Sequence, residues 1–246
     1  MGKKIKGILF DLGNTLLNFG PVDIPALFEA GGRLAHEHLK QMGFQPPPFD
    51  KFHRRQLWAI RWNVLKSRLT RREFNSLDLI IRLGRRMGMP LTRQQAIEQA
   101  WLWYEPLSCC ASKEEGLLEL LREFSQAGIV LGLVSNTFIP AEVLDRHLAR
   151  EGLLDLLAVR VYSCEVGYRK PHPRIFAEAL ARGKLRAEET LFVGDSMRAD
   201  IYGARRAGLI PVLKAPAETH RNSKITTSGR IHKLGELREF LAACDA

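Results

Sequence analysis

The stretch Gly7-Ile8-Leu9-Phe10-Asp11-Leu12-Gly13-Asn14-Thr15-Leu16 decides how the rest of the chain is read. An apolar run, preceded by Lys3, Lys4 and Lys6, stops at a carboxylate and passes into a Gly-Asn turn. Its length and hydrophobicity are those of a buried parallel strand, and in open α/β sheets ligands bind at the carboxyl ends of such strands. Asp11 is therefore the first candidate for chemistry.

Working outward, short apolar runs alternate with helical stretches from about residue 128 onward. Strands are predicted at 129–134, 157–162, 190–194 and 209–213, and helices at 140–150, 174–182 and 199–207, the last closed by Gly208. Alternation of this kind implies an α/β fold with a doubly wound, Rossmann-like parallel sheet and right-handed crossovers. Residues 21–106 break the rhythm. They offer helical patterns at 24–41, 52–69, 71–87 and 93–104, with no strand, and read as a small all-α insert between the first strand and the rest of the sheet. The expected domains are thus 1–20 with 107–246, and 21–106, with a two-strand hinge near Phe19-Gly20-Pro21 and Pro106. Trp58, Trp62, Trp101 and Trp103 all lie in the insert and are expected to form its core and its contact with the sheet. Residues 219–229, rich in Ser, Thr and Gly, read as a surface loop before a last short strand and helix.

Bulk properties narrow the classes of function. Of 246 residues, 46% are hydrophobic and 26% charged, the balance of an ordinary soluble globular protein. No apolar run approaches the roughly 18 residues of a membrane span, and the N-terminal run is too short for a signal peptide. A cytoplasmic protein without a membrane partner is expected, and monomer and homodimer both fit. Cys109, Cys110, Cys164 and Cys244 lack metal-binding spacing and read as small buried or incidental thiols. The net charge of +10 is spread over the chain without a dense basic run interleaved with aromatics. That argues against nucleic acid and for a basic surface that attracts anionic substrates. Arg54, Arg61 and Arg68, seven residues apart, share one helix face, either solvated or drawing in an anionic substrate.

Four motifs fall at the carboxyl ends of predicted strands, where residues distant in sequence converge. They are Asp11 with Gly13, Asn14 and Thr15; Ser135-Asn136-Thr137; Lys170 within Arg169-Lys170-Pro171-His172-Pro173; and Gly194-Asp195-Ser196 with Asp200 following. Each alone also reads as a cap, a turn or a surface lysine; the four in this order and spacing carry the inference. Thr15 is expected to fix the turn through its β-branched side chain and hydroxyl, and His172 to be loop scaffolding and a spare proton donor.

Together the motifs resemble the haloacid dehalogenase superfamily, whose members are mostly magnesium-dependent phosphatases, and residues 21–106 match the position of its helical cap. The resemblance implies a small phosphorylated metabolite as substrate and Asp11 as a nucleophile forming an aspartyl-phosphate. It implies Mg²⁺ held by Asp11, Asp195 and the carbonyl of Gly13, with Asp200 a ligand or close by. Ser135 and Lys170 would act on the phosphate as catalytic groups, with Asn14 and the Asn136 N–H beside them in binding it. The cap would close over the site and set specificity. The chemistry agrees: a carboxylate is ionised at neutral pH, Mg²⁺ prefers hard oxygen ligands, and an ammonium group offsets crowded negative charge.

The sequence departs from that superfamily at one position. The phosphatases usually carry a second aspartate two residues after the nucleophile, and here it is Gly13. A main-chain carbonyl is retained but a proton donor is not, and general acid–base catalysis is worth about 10²–10⁴ in rate. Three outcomes are open: a replacement acid from the cap, His172 or a water held by Asn14; a substrate whose leaving group needs no proton, such as an acyl or aryl phosphate; or a phosphate-binding or regulatory protein with weakened turnover. Some superfamily members with Gly or another non-acid here still hydrolyse sugar phosphates, so the loss need not be fatal. Dehalogenases proper carry Tyr there, so dehalogenation is disfavoured.

Overall fold

The computed structural model describes residues 4–216 and 225–245. Six parallel strands form one sheet: β1 (Gly7–Phe10), β2 (Val130–Ser135), β3 (Val159–Tyr162), β4 (Thr190–Gly194), β5 (Ile210–Lys214) and β6 (Gly229–Ile231). Their order is β3-β2-β1-β4-β5-β6, so the chain winds to one side of β1 and then to the other. This α/β architecture is the one the alternation predicts. Side chains alternate between the two faces: Ile8, Phe10, Leu191 and Val193 join one apolar cluster, and Leu9 and Phe192 join the other.

Helices cover both faces. α1 (Ile24–Gln41), α2 (Phe49–Thr70), α3 (Ser76–Arg86) and α4 (Arg93–Ser108) follow β1; α5 (Leu117–Gln126) precedes β2 and α6 (Ala141–Arg150) follows it. The short α7 (Ser163–Val166) and then α8 (Pro173–Gly183) lie between β3 and β4. A π-helical turn, Met197–Tyr202, leads into α9 (Gly203–Arg206), and α10 (Leu237–Asp245) closes the described chain. The uniform helix predicted over 199–207 is thus replaced by a π-turn with a short α-helix after it. α5 and α7 were not apparent in the sequence. Of the loop predicted over 219–229, residues 219–224 lie outside the described residues; the short strand and helix after it are present.

Local signals explain the helical segment. Asp23 caps α1, Asn75 caps α3, and Thr92 with Gln95 forms a capping box at α4. Arg71, in the left-handed conformation, ends α2. α1 and α4 pack backbone against backbone, because a Cβ at Gly31 would lie 2.5 Å from the Trp103 carbonyl oxygen. A cluster with Leu39, Phe52, Leu77 and Met89 forms an apolar centre among these helices, apart from the sheet clusters. Pro106 sits inside the last turn of α4 rather than at a break. The two connecting segments are instead tied where Asn18 and Ser112 exchange both backbone hydrogen bonds at 2.8 Å.

The tryptophan expectation holds for only two of the four. Trp101 is buried against Tyr104 below the Arg146 guanidinium, and Trp103 stacks on His53. Trp58 and Trp62 are 69% and 57% exposed and stack on each other on the outer side of α2. Their spacing of four places them on one stripe, which borders an open groove shared with Leu79, Arg82, Leu83 and Arg86 of α3. Of the thiols, Cys164 is buried, Cys244 half-buried, and Cys109 and Cys110 exposed. Among the described residues no helix is long and apolar enough to cross a membrane.

Candidate active site

The site lies at the carboxyl ends of β1, β2 and β4, beside the point where the winding reverses. Asp11 follows β1 directly, and its N–H donates to Val193 O at 2.9 Å, continuing the β1–β4 ladder by one residue. The chain then turns sharply. Asn14 takes the left-handed conformation (φ 55°) and donates its N–H to Leu17 O at 2.7 Å. Thr15 is buried, but its hydroxyl has no hydrogen-bond partner among the described residues, so backbone bonds hold the turn where a side-chain bond was expected.

Lys170 is the hub. It is buried, with only 2% of its side chain exposed, and its Nζ lies 2.6 Å from Asp11 Oδ1 and 2.7 Å from Asp200 Oδ1. Its backbone is fixed from β2: Lys170 N–H donates to Asn136 Oδ1 at 2.7 Å, and Asn136 Nδ2 donates to Lys170 O at 3.1 Å. Asp200 is held from its other oxygen by the Ser196 N–H at 2.9 Å. The π-helical turn carries it beneath Gly194, where a Cβ would meet the Asp200 carboxyl carbon at 2.5 Å. Gly194 is therefore required for Asp200 to reach the cluster. Asn14 Nδ2 donates to Asp195 Oδ2 at 3.3 Å.

Carboxylate oxygens of Asp11, Asp195 and Asp200 lie within 4.8 Å of one another. Burial, with the charges of Asp200 and Asp195, pushes the Asp11 carboxyl up to about 7 against the pull of Lys170. Burial and Asp200 likewise raise Asp195. Lys170 is raised too: burial favours its neutral form, but the attraction of Asp11 and Asp200 outweighs that. Three carboxylates around one ammonium leave an excess of negative charge in a poorly solvated place. The donor set is all hard oxygen, which fits a divalent cation such as Mg²⁺.

The structure brings together Asp11, Asn14, Asn136, Lys170, Asp195 and Asp200. Ser135 is the buried last residue of β2, opposite Tyr162 at the same sheet end. Gly13 sits in the turn, with open space around the point where a Cβ would stand. His172 caps α8, accepting from the Arg174 N–H at 3.3 Å, and its ring packs on Tyr168; it acts as loop scaffolding. Other supports were missed in the sequence. Lys214 Nζ donates to the carbonyls of Asn14 (3.2 Å) and Thr15 (2.9 Å) while pairing with Glu114 at 2.9 Å. Glu73, between α2 and α3, accepts from Arg169 at 2.6 Å and from Ser163 at 3.1 Å, tying the helical segment to the loop that bears Lys170. A lysine at a strand end was a usable signal for Lys214; nothing in the local sequence marked Glu73.

The haloacid dehalogenase-like hydrolase family model matches residues 5–208. The chain belongs to this family of hydrolases. Ribulose-1,5-bisphosphate 5-phosphatase of Halopiger xanaduensis is 28% identical over 96% of this chain and 98% of its own length. Glyceraldehyde 3-phosphate phosphatase of Pyrococcus abyssi is 27% identical over 83% of this chain and 79% of its own. Among solved structures, a HAD phosphatase from Thermococcus onnurineus superimposes with a TM-score of 0.60 at 25% identity, covering 96% of this chain and 98% of that one. The haloacid dehalogenase-like architecture therefore spans nearly the whole chain, the helical segment included.

Proposed function

We propose that this hydrolase is a Mg²⁺-dependent phosphatase of the cytoplasm that cleaves a small phosphorylated metabolite through Asp11. The observation that carries it is the buried Lys170 ammonium bridging Asp11 and Asp200 beside Asp195. Its relatives named as phosphatases agree with it. A carboxylate oxygen of Asp11 attacks phosphorus, the bond to the leaving oxygen breaks, and water then releases phosphate from the aspartyl-phosphate. Ser135, Asn14 and the Asn136 N–H hold phosphate oxygens, and Lys170 keeps Asp11 oriented and offsets the incoming charge. Asp11, Asp195 and the Gly13 carbonyl would hold Mg²⁺, with Asp200 completing or steadying the set; when bound, the ion supplies charge neutralisation. Residues 1–20 and 107–246 act as the catalytic core, and residues 21–106 as a cap that excludes water and selects substrate.

The test is phosphate release with and without Mg²⁺ for the native chain and Asp11→Asn. The variant should lose at least about 10³-fold in kcat. Equal rates overturn the nucleophile. Gly13 favours a second reading, a weakly active protein that binds phosphate for regulation. Gly13→Asp separates the two: a gain of about 10²–10⁴ on alkyl phosphates says that only the acid was absent. No gain, and no Mg²⁺-dependent rise in melting temperature, favours the second.

A further inference from the structure

A cavity of about 330 Å³ lies between α1–α4 and the loop after β2. Its wall includes Phe28, Ile60, Val64, Leu79, Ile80 and Tyr104, one or two from each of the four helices. Asn136 belongs both to this wall and to the site, since its side chain holds the backbone of Lys170. The cavity and the site are therefore neighbours with Asn136 as a shared wall. A second, wider cleft of about 780 Å³ shares Phe28, Ile60, Val64, Arg68 and Phe138 with it and continues outward between α1 and α2. Of the charged side chains on the inner wall, Arg169 is already paired with Glu73, and Arg68 sits at the shared boundary.

The geometry points to aryl phosphates as the substrate class, an inference that rests on the phosphatase reading and specifies its leaving group. Two independent features converge on it. First, an apolar cavity of about 150 Å³ already takes up benzene, so this one accommodates one or two fused rings. The wall is mainly apolar, with Gln56, Ser76, Asn136 and Thr137 as its uncharged polar side chains, so a triose or pentose phosphate, with hydroxyls on most carbons, would recover only part of the hydrogen bonds it gives up there. Second, Gly13 offers no proton to a leaving oxygen. A phenol ionises near pH 10, as tyrosine does, and departs as phenolate without help, whereas an alkoxide does not. In the first step the Asp11 oxygen bonds to phosphorus and the aryl P–O bond breaks, its electron pair staying on the phenolate oxygen. Water then bonds to phosphorus as the Asp11–phosphorus bond breaks. One water proton stays on phosphate and the other neutralises the phenolate.

The experiment compares kcat/KM for 1-naphthyl phosphate, glyceraldehyde 3-phosphate and acetyl phosphate in the native chain, Asp11→Asn and Val64→Phe. Acetyl phosphate needs neither the cavity nor an acid. Naphthyl phosphate should exceed glyceraldehyde 3-phosphate by at least about 100-fold. Val64→Phe, which narrows the cavity, should lower the naphthyl-to-acetyl ratio about tenfold or more. Without turnover, 1-naphthylmethylphosphonate should quench tryptophan fluorescence, through Trp103 in the cavity wall, at concentrations at least about tenfold below methylphosphonate. If acetyl phosphate is cleaved with Asp11 dependence while glyceraldehyde 3-phosphate equals or exceeds naphthyl phosphate, the aryl inference is overturned and the phosphatase reading stands. If no phosphate is released in an Asp11-dependent way, both fall.

Discussion

β1 and α2 are both rich in apolar residues, and they treat them differently. Every residue of β1 is buried, because helices cover both faces of the sheet and leave no outward side. α2 buries Phe52, Gln56, Ala59 and Ser67, while Trp58, Trp62, Leu65 and Leu69 face solvent. In a central strand hydrophobicity alone settles burial. In a helix packed on one side, position on the turn settles it, and a polar Gln56 takes the inner stripe where a tryptophan was expected.

The largest way to test this contrast is at the rim of the sheet. Lys170→Met leaves Asp11 and Asp200 buried without their cation, and breaking a buried pair from one side costs about 3–5 kcal/mol. Urea unfolding without Mg²⁺ should show that loss, and an unchanged midpoint would mean that the carboxylates are solvated. Phe192→Ala, fully buried against Phe176 in β4, should cost a similar amount through the cavity it leaves.

A smaller effect tests the junction between the regions. The His147 imidazole, buried and next to Arg150, is held down to about 4 while Tyr104 hydrogen-bonds its Nδ1 at 2.8 Å. Its ordinary value is 6.5, so between these values the unfolded chain binds more protons than the folded one. Stability from this group is complete above about pH 6.5 and is lost as the pH falls toward 4. Between pH 7 and 5 the native chain should lose about 1 kcal/mol more than His147→Gln; parallel pH profiles would refute this. Smallest of all, Trp58→Ala and Trp62→Ala should each stay within about 0.5 kcal/mol of the native chain. A loss of several kcal/mol would show that the stripe is covered in solution.

The same contrast explains what was legible in the sequence. The sheet was readable because β1, β2, β4 and β5 are short, mainly apolar runs, β1 closed by Asp11 and β4 by Gly194, and 190–194 matches β4 to the residue. The polar cluster was readable because Asp11, Ser135, Asn136 and Asp195 each follow or end such a run, while Lys170, in the loop between α7 and α8, was found by its place in the order of motifs. Asp200 was found by its distance from Asp195, but not the π-turn that delivers it, since that depends on Gly194 lacking a side chain. The parts that escaped are set by tertiary contact: Glu73 faces Arg169 and Ser163 from nearly a hundred residues away, and Lys214 meets the Asn14 turn only once β5 is placed.

The paired backbone bonds between Asn18 and Ser112 have an evolutionary corollary. The polypeptide departs from the sheet and re-enters it at adjoining points, so the ends of whatever lies between are already spaced for splicing. Lengthening, shortening or exchanging that intervening stretch leaves the strand register intact. One hydrolytic scaffold can thereby be refitted to new substrates by recombination, with point changes needed at the α4–α6 seam and where Glu73 meets Arg169 and Ser163.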